Sequence, residues 1–431
     1  MSFAYESRWD TRPLKRDTVK IGSGKTPTGG AEAYADSGVT FLRSQNIHFD
    51  GLRLDEVAHI DFATHQEMWG TRVQPGDVLL NITGASIGRV SFATIDLGEA
   101  NVNQHVCIVR LAKGLSTRYF AYSLSSRPVQ EQIRQLQVGG NRDGLNFEQV
   151  GNLRLPAAPT EEQHRVADFL DAETARIDRL AASRAAQVSV MRERFTALAR
   201  QQTGRMAIRS KSLSDGWQAV QLRHVISSIK TGGTPPTAGP DAWAHADEPG
   251  AIPWYGPSGI HDLLRVGDPA KHIGVSAVTE KIVPRFPSGS ILVVGIGATA
   301  GKVAYIDHEA TGNQQITALV SESSMVGRFL GWQLWAATEE MRELAPYTTL
   351  PIINNDFLKS FPVAVPSSEN QEEVVHSLDR AASQLNSLEL IAQKAAQRLQ
   401  ERRQALITAA VTGQFDVTTA SGRNVTDGVS A

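Results

Sequence analysis

The chain repeats itself. Trp9, Leu14, Ile21, Gly24, Thr26 and Pro27 return 208 positions later as Trp217, Leu222, Ile229, Gly232, Thr234 and Pro235. The same offset reappears far downstream, where Asn146, Glu161, Gln163, Val166, Leu170 and Leu180 match Asn354, Glu369, Gln371, Val374, Leu378 and Leu388. A chance similarity holds one register for a few residues; it does not lose that register mid-repeat and regain it. A chain of 431 residues built this way folds as two similar modules, and its function is one that needs two separately variable copies.

Each repeat has the same order of parts. A mixed region comes first, with short apolar runs at 77–80 and 290–294 broken by Gly and Pro, which read as strands and turns. A strip punctuated by proline, 153–159 and 361–366, stops regular structure. Then come 161–202 and 369–412, almost free of Gly and Pro. Leu170, Ile177, Arg184, Met191 and Leu198 fall seven apart, as do Leu378, Leu385, Ala392, Leu399 and Leu406; Val166, Leu180, Val374 and Leu388 supply the other seam position. This flawed heptad predicts two helices of ~40 residues, each ~60 Å long, packing through a coiled-coil seam. A homodimer or a partner protein would also satisfy the pattern, but two matched helices in one chain meet at high effective concentration, which favours an intramolecular antiparallel pair. Thr160 and Ser367 or Ser368 offer N-caps, and Gly204 and Gly413 sit where helix stops belong. The polar segment 416–431 reads as a flexible tail.

Composition narrows the function. A net charge of −2 argues against a protein that coats nucleic acid nonspecifically. Arginine outnumbers lysine about three to one, which suits planar recognition of phosphate or guanine and equally follows from a GC-rich genome. The single cysteine, Cys107, excludes an intrachain disulfide and a cysteine-rich zinc site, and reads as a core residue in a reducing cytoplasm. No signal-peptide pattern and no apolar run near ~18 residues is present, so the expected location is cytoplasmic.

Several motifs imitate chemistry. Gly22-Ser-Gly-Lys-Thr26 ends like a phosphate-binding loop, but Val19 stands where that loop needs glycine, and Lys25 becomes Gly233 in the second copy. What the copies share is a Gly-x-Thr-Pro turn. Gly295-x-Gly297-x-x-x-Gly301-Lys302 resembles a nucleotide-binding loop with the wrong spacing; its first copy reads Thr83-Gly-Ala-Ser-Ile-Gly-Arg89. A tight hairpin explains the glycines, while the paired Arg89 and Lys302, beside Thr83, Ser86 and Thr299, suit contact with a nucleic-acid backbone. Asn103-Gln104 and Asn313-Gln314 carry amides that pair with adenine edges or cap turns. Arg43, Gln45 and Asn46 correspond loosely to Tyr255 and Ser258, and Arg142 completes the set of candidate DNA contacts. The 11 histidines show no metal spacing, and neither a Gly-x-Ser-x-Gly elbow, a methyltransferase Asn/Asp-Pro-Pro-Tyr/Phe tetrapeptide nor a nuclease Asp…Glu-x-Lys constellation stands out. The chain reads as non-catalytic, with no metal site.

The duplicated order of parts resembles the specificity subunit of type I restriction–modification systems over essentially the whole chain. The matching features are the Trp-x4-Leu…Gly-x-Thr-Pro openings and the Gly-Asp/Ser-[Val/Ile]-Leu strand before a small-residue turn. The Asn-Gln cluster and the Pro…Glu-x-Gln start of a long helix match as well. The resemblance implies an α+β fold with a pseudo-twofold repeat: two mixed α/β target recognition domains, at 1–158 and 213–366, joined by spacer helices at 159–212 and 367–415 that form an antiparallel coiled coil. Each domain would read one half of a bipartite DNA site. Helices of ~60 Å, about 17 base pairs, would set the gap between the halves. The family's subunit recruits two methyltransferase subunits and ATP-dependent motor-nuclease subunits in a system of DNA methylation and phage defence. AdoMet, Mg²⁺ and ATP would belong to those partners, leaving this chain without a cofactor. Two other readings remain: a nucleotide-binding enzyme using residues 295–302, and a coiled-coil adaptor that binds protein only.

Overall fold

The computed structural model describes residues 7–137, 144–235, 242–346 and 351–418. The chain forms two compact units, residues 1–184 with 394–431, and residues 185–393.

Each unit is built round one four-stranded antiparallel sheet with the same strand order. In the first unit the neighbours are Thr18–Ser23, Val106–Leu111, Val78–Asn81 and Val90–Phe92; in the second they are Ser228–Thr231, Ile316–Val320, Ile291–Val294 and Val303–Tyr305. The central strands are mostly apolar because both faces are covered, with Arg110, Asn81 and Thr317 as the polar exceptions. Alternation along a strand sends Val78 and Leu80 to one core and Leu79 to another, and likewise Ile291 and Val293 against Leu292 and Val294. A second small sheet repeats as well. Val39–Leu42 runs parallel to Ala100–Val102, as Ile252–Tyr255 does to Thr311–Gly312. Cys107 is fully buried in its strand, as its apolar neighbours predict, and burial pushes its thiol pKa up to about 12.

The two long helices are Thr160–Gln202 and Ser368–Val411, of 43 and 44 residues. In the first unit Val166, Leu170 and Ile177 share a core with Leu406, Ile407, Ala410 and Val411, and Asp178 faces Arg403 at 3.5 Å. In the second, Phe195 and Ala199 share a core with Val375, Leu378, Ala382 and Leu385, and Arg192 meets Glu389 at 2.6 Å. Rising numbers on one helix meet falling numbers on the other, so within each unit the two segments run antiparallel.

Both modules fasten to their helices by the same device. Tyr122 donates to Asp171 at 2.7 Å, and Arg118 pairs with Asp168 and Asp171. In the second copy Trp332 and Arg328 donate to Asp379 at 2.8 and 2.6 Å. The repeated tryptophans lie against the glycines that end the helices. A Cβ on Gly413 would come within 2.9 Å of Trp9, and one on Gly204 within 2.7 Å of Trp217. Both glycines have left-handed φ, 69° and 70°, as helix stops require.

Three details correct the sequence reading. Thr160 is already helical, and the Pro159 carbonyl accepts from the Gln163 N–H at 2.9 Å, so the cap falls one residue earlier; Ser367, not Ser368, holds it in the second helix. The seam is not continuous. Leu170, Ile177, Leu378, Leu385 and Leu406 are buried, and Leu198 and Leu399 pack half-buried against the cores. Leu180, Met191 and Leu388, however, are 48 %, 40 % and 41 % exposed. No residue of 178–194 or 386–402 is buried. Those stretches are thick with alanine, which buries little area, and leave the module cores behind. The flexible tail expected at 416–431 lies outside the described residues from 419 onward.

Candidate nucleic-acid interface

Antiparallel pairing brings three strand ends together at one edge of the first four-stranded sheet. Cys107 pairs with Ser23 and Val106 with Asn81, so the Gly-x-Thr-Pro turn, the Asn-Gln cluster and the Thr83 loop become neighbours. The Gly24 N–H donates to the carbonyls of Asn103 and Val106 at 3.1 and 3.2 Å, an approach so close that a Cβ would lie 1.6 Å from the Val102 oxygen. Thr26 then donates through Oγ1 to Oε1 of Gln104. His105 lies between Gln104, at 3.3 Å, and the Thr83 hydroxyl. Asn81 joins the Arg43–Asn46 turn to the same edge, donating from Nδ2 to the Ser44 carbonyl at 2.7 Å and to Ser86 Oγ at 3.1 Å.

The second module builds the same edge with other residues. Thr234 donates to Gln314 at 2.8 Å, and a Cβ on Gly232 would lie 2.2 Å from the Gly312 oxygen. Gln315 stands where the first module has His105, its Nε2 donating to the Ile296 carbonyl at 3.4 Å. The strand Ile252–Tyr255 leads into a turn at Pro257–Gly259 just as Val39–Leu42 leads into Ser44–Asn46, so Gln45 and Ser258 occupy matching places, both exposed.

The candidates separate by burial and partners. Gln104, Gln314, Gln45, Ser258 and Lys302 are exposed, and Arg43, Thr83, Ser86, Arg89 and Thr299 are half-buried at these edges. The Arg43 guanidinium lies 5.4 Å over the Tyr34 ring, which orients it. Four candidates are engaged within the fold. Asn46 is 3 % exposed, with both ends of its amide taken by the Arg43 N–H and the Arg53 carbonyl. Asn103 is 7 % exposed and accepts from the His105 N–H; Asn313 holds the matching turn by accepting from Gln315. Tyr255 is 3 % exposed and hydrogen-bonds His308 at 3.1 Å, and burial raises its pKa. These side chains help to hold the edge together. Arg142 lies outside the described residues.

The geometry of residues 295–302 is that of a hairpin turn rather than a phosphate loop. Residues 295–302 close a hairpin between Ile291–Val294 and Val303–Tyr305, with Gly301 N–H donating to the Val294 carbonyl at 2.8 Å and Val294 N–H to Lys302 at 2.9 Å. A phosphate cradle needs a helix N-terminus after the glycines, and a strand follows instead. Gly84, Gly88, Gly297 and Gly301 all have positive φ and serve the two hairpins.

Thr26, Thr234 and His105 are the functional candidates that the sequence reading missed. The threonines were visible as repeat markers at offset 208. Their glutamine partners sit at offset 210, so only the fold shows that the pair is kept.

The family model described as the type I restriction modification DNA specificity domain matches twice, at residues 7–189 and 214–395. The specificity subunit of type I restriction enzyme MjaIX from Methanocaldococcus jannaschii is 25 % identical over 162 residues, 37 % of this chain and 36 % of that one. The EcoR124I/EcoR124II specificity subunit from Escherichia coli is 25 % identical over 211 residues, 46 % of this chain and 51 % of that one. The matches thus span about a third and a half of those relatives. Two solved structures share the fold at 17 % identity. One, from a study of complex assembly and conformational transition of the type I R-M system, has a TM-score of 0.69 and covers 94 % of this chain and 98 % of that one. The other, the HsdS subunit from Thermoanaerobacter tengcongensis, has a TM-score of 0.52 and covers 96 % and 99 %.

Proposed function

Because this chain belongs to the type I restriction–modification DNA specificity family, we propose that each of its modules reads one half of a bipartite DNA site. One observation carries the reading: the same strand-end edge is built twice, with a shared Thr–Gln link and different side chains around it. A constant scaffold holding variable polar groups is what two independent readers need. In the first module Gln104, Gln45, Arg43, Thr83, Ser86 and Arg89 are the candidate DNA contacts; in the second they are Gln314, Ser258, Thr299 and Lys302. Exposed amides suit base edges, and Arg89 and Lys302 suit phosphate.

The domain bounds 1–158 and 213–366, with spacers at 159–212 and 367–415, belong to this proposal, as does a role for the long helices in setting the gap between half-sites. Two methyltransferase subunits would dock on the helices. Val190, Met191, Leu388, Leu390 and Ile391, all in the second compact unit, are apolar and at least 40 % exposed, which supports a partner there. Motor-nuclease subunits would join for cleavage. AdoMet, Mg²⁺ and ATP would be bound by the partners, in the cytoplasm, while this chain contributes recognition. No helix among the described residues is long and apolar enough to cross a membrane.

Exchanging residues 213–366 for the corresponding module of another such chain tests the reading. Sequencing of methylated bases in the host should show one half-site changed and the other kept. Motifs unaltered by the exchange would overturn it.

A further inference from the structure

Each module seats a cation on an aromatic pair beside its edge, and the two modules take that cation from different strands. Ala33-Tyr34-Ala35 returns in the sequence as Ala242-Trp243-Ala244, and His59-Ile60 as His272-Ile273. The fold matches them, for Ala35 bridges to His59 as Ala244 pairs with His272. Tyr34 packs on Phe41 with ring centroids 5.6 Å apart, and Trp243 packs on Trp254 at 5.4 Å. Over the first ring of each pair lies a positive group. The Arg43 guanidinium is 5.4 Å from the Tyr34 centroid, and the Lys271 ammonium is 4.3 Å from that of Trp243. Both lie within the range at which a ring face attracts a cation. Arg43 comes two residues beyond Phe41, on the same face of the extended chain. Lys271 comes from the neighbouring strand, directly opposite Trp254. Each module lacks the other's source: Gly256 opens the turn that Arg43 opens in the first copy, and Ala58 stands opposite Phe41.

We propose that Arg43 and Lys271 are matching phosphate contacts, one flanking each half-site. This rests on the half-site reading above. Trp254 ties the second cation to its edge. The indole N–H donates to the Gly233 carbonyl at 3.0 Å, inside the turn whose Thr234 meets Gln314. Trp254 also pairs with Thr311, so Lys271 opposite it stands three residues short of Gln314. Arg43 opens the turn that Asn81 fastens to the first edge. Arg43 is half-buried and Lys271 exposed, and no ion pair among the described residues uses either. The ring steadies each charge without neutralising it, which leaves it for an anion from outside the chain. What the duplication keeps is a positive charge at one place, while residue type and strand of origin both change. Lysine does not replace arginine where a planar fork reads a base, but either one meets a phosphate. Phosphate contacts fix the register of the protein on the duplex and carry no sequence information, so their source is free to move between strands.

The full chain assembled with its methyltransferase subunits tests this through its affinity for a labelled duplex carrying the motif it methylates, measured over a series of salt concentrations. Lys271→Met keeps an aliphatic stem over Trp243 and removes the charge. It should lower the slope of log affinity against log salt by about one, and weaken binding to every sequence by a similar factor. The methylated motif should stay the same. Arg43→Met should do likewise, and Lys271→Arg should keep the wild-type slope. The double variant Gly256→Arg, Lys271→Met returns the charge from the first module's position and should restore the slope. Gly256 has a φ of −107°, and the nearest atom to a Cβ there is Asn313 Nδ2 at 3.6 Å, so a side chain fits. The proposal is overturned if Lys271→Met leaves the slope unchanged, or if it relaxes one motif position as loss of a base reader would. It is also overturned if Lys271→Arg behaves like Lys271→Met, if the double variant restores nothing, or if Lys271→Met lowers thermal stability in place of the slope. A wild-type complex that binds all duplexes alike would instead overturn the half-site reading.

Discussion

Gly24 and Gly84 show how differently one residue type is used. Gly24 does not have left-handed φ; it is needed because the Val102 carbonyl passes where a Cβ would sit, 1.6 Å away. Gly84 has φ of 73° and nothing within 4 Å of its would-be Cβ. Gly24→Ala should therefore destabilise the first unit by about 3 kcal/mol, through forced backbone displacement, whereas Gly84→Ala should cost about 1 kcal/mol of conformational strain alone. Urea unfolding of the two variants separates these outcomes, and equal losses would contradict the close approach. The repeat made Gly24 and Gly232 visible as a pair. That the requirement is steric became visible only when the Asn-Gln turn folded against them, because the contacting carbonyl lies far along the chain.

At the scale of elements, the long helices were legible from their spacing and lack of breakers. Their burial was not. Leu378 and Leu388 read alike as seam leucines, yet Leu378 is fully buried and Leu388 is 41 % exposed. A heptad pattern identifies a helix face, while the neighbours that cover it come from elsewhere in the chain: Phe329, Leu330 and Trp332 share the core of Leu378. Leu378→Ala should cost about 2–5 kcal/mol. Leu388→Ala should change the stability of the isolated chain by no more than about 0.5 kcal/mol, while weakening assembly with the methyltransferase subunits. Denaturant unfolding alongside co-purification of the complex checks both halves. A large loss of stability at Leu388 would mean that it is covered within the chain. The Asp171 and Asp379 anchors keep offset 208, but their partners Tyr122 and Trp332 sit at offset 210, so this link too was hidden by drift.

For the whole molecule, the helices are proposed to act as the ruler between half-sites. Inserting seven residues at matched points in both helices adds ~10 Å, about 3 base pairs of DNA, while keeping each apolar face in phase. The gap in the methylated motif should lengthen by that amount with both half-sites unchanged; the same gap after the insertion would sink the ruler model.

Duplication, the order of parts, the long helices and the absence of a true phosphate loop were determined by the sequence alone, because periodicity and motif spacing are local properties. Tertiary structure decided which polar residues present themselves and which merely hold the edge. Asn46, Asn103 and Tyr255 look like readers in the sequence and are buried in the fold, while His105 is tied into the edge by Thr83 and Gln104. A side chain's use depends on which of its hydrogen-bonding groups the rest of the chain has already taken, and strands paired across long loops settle that.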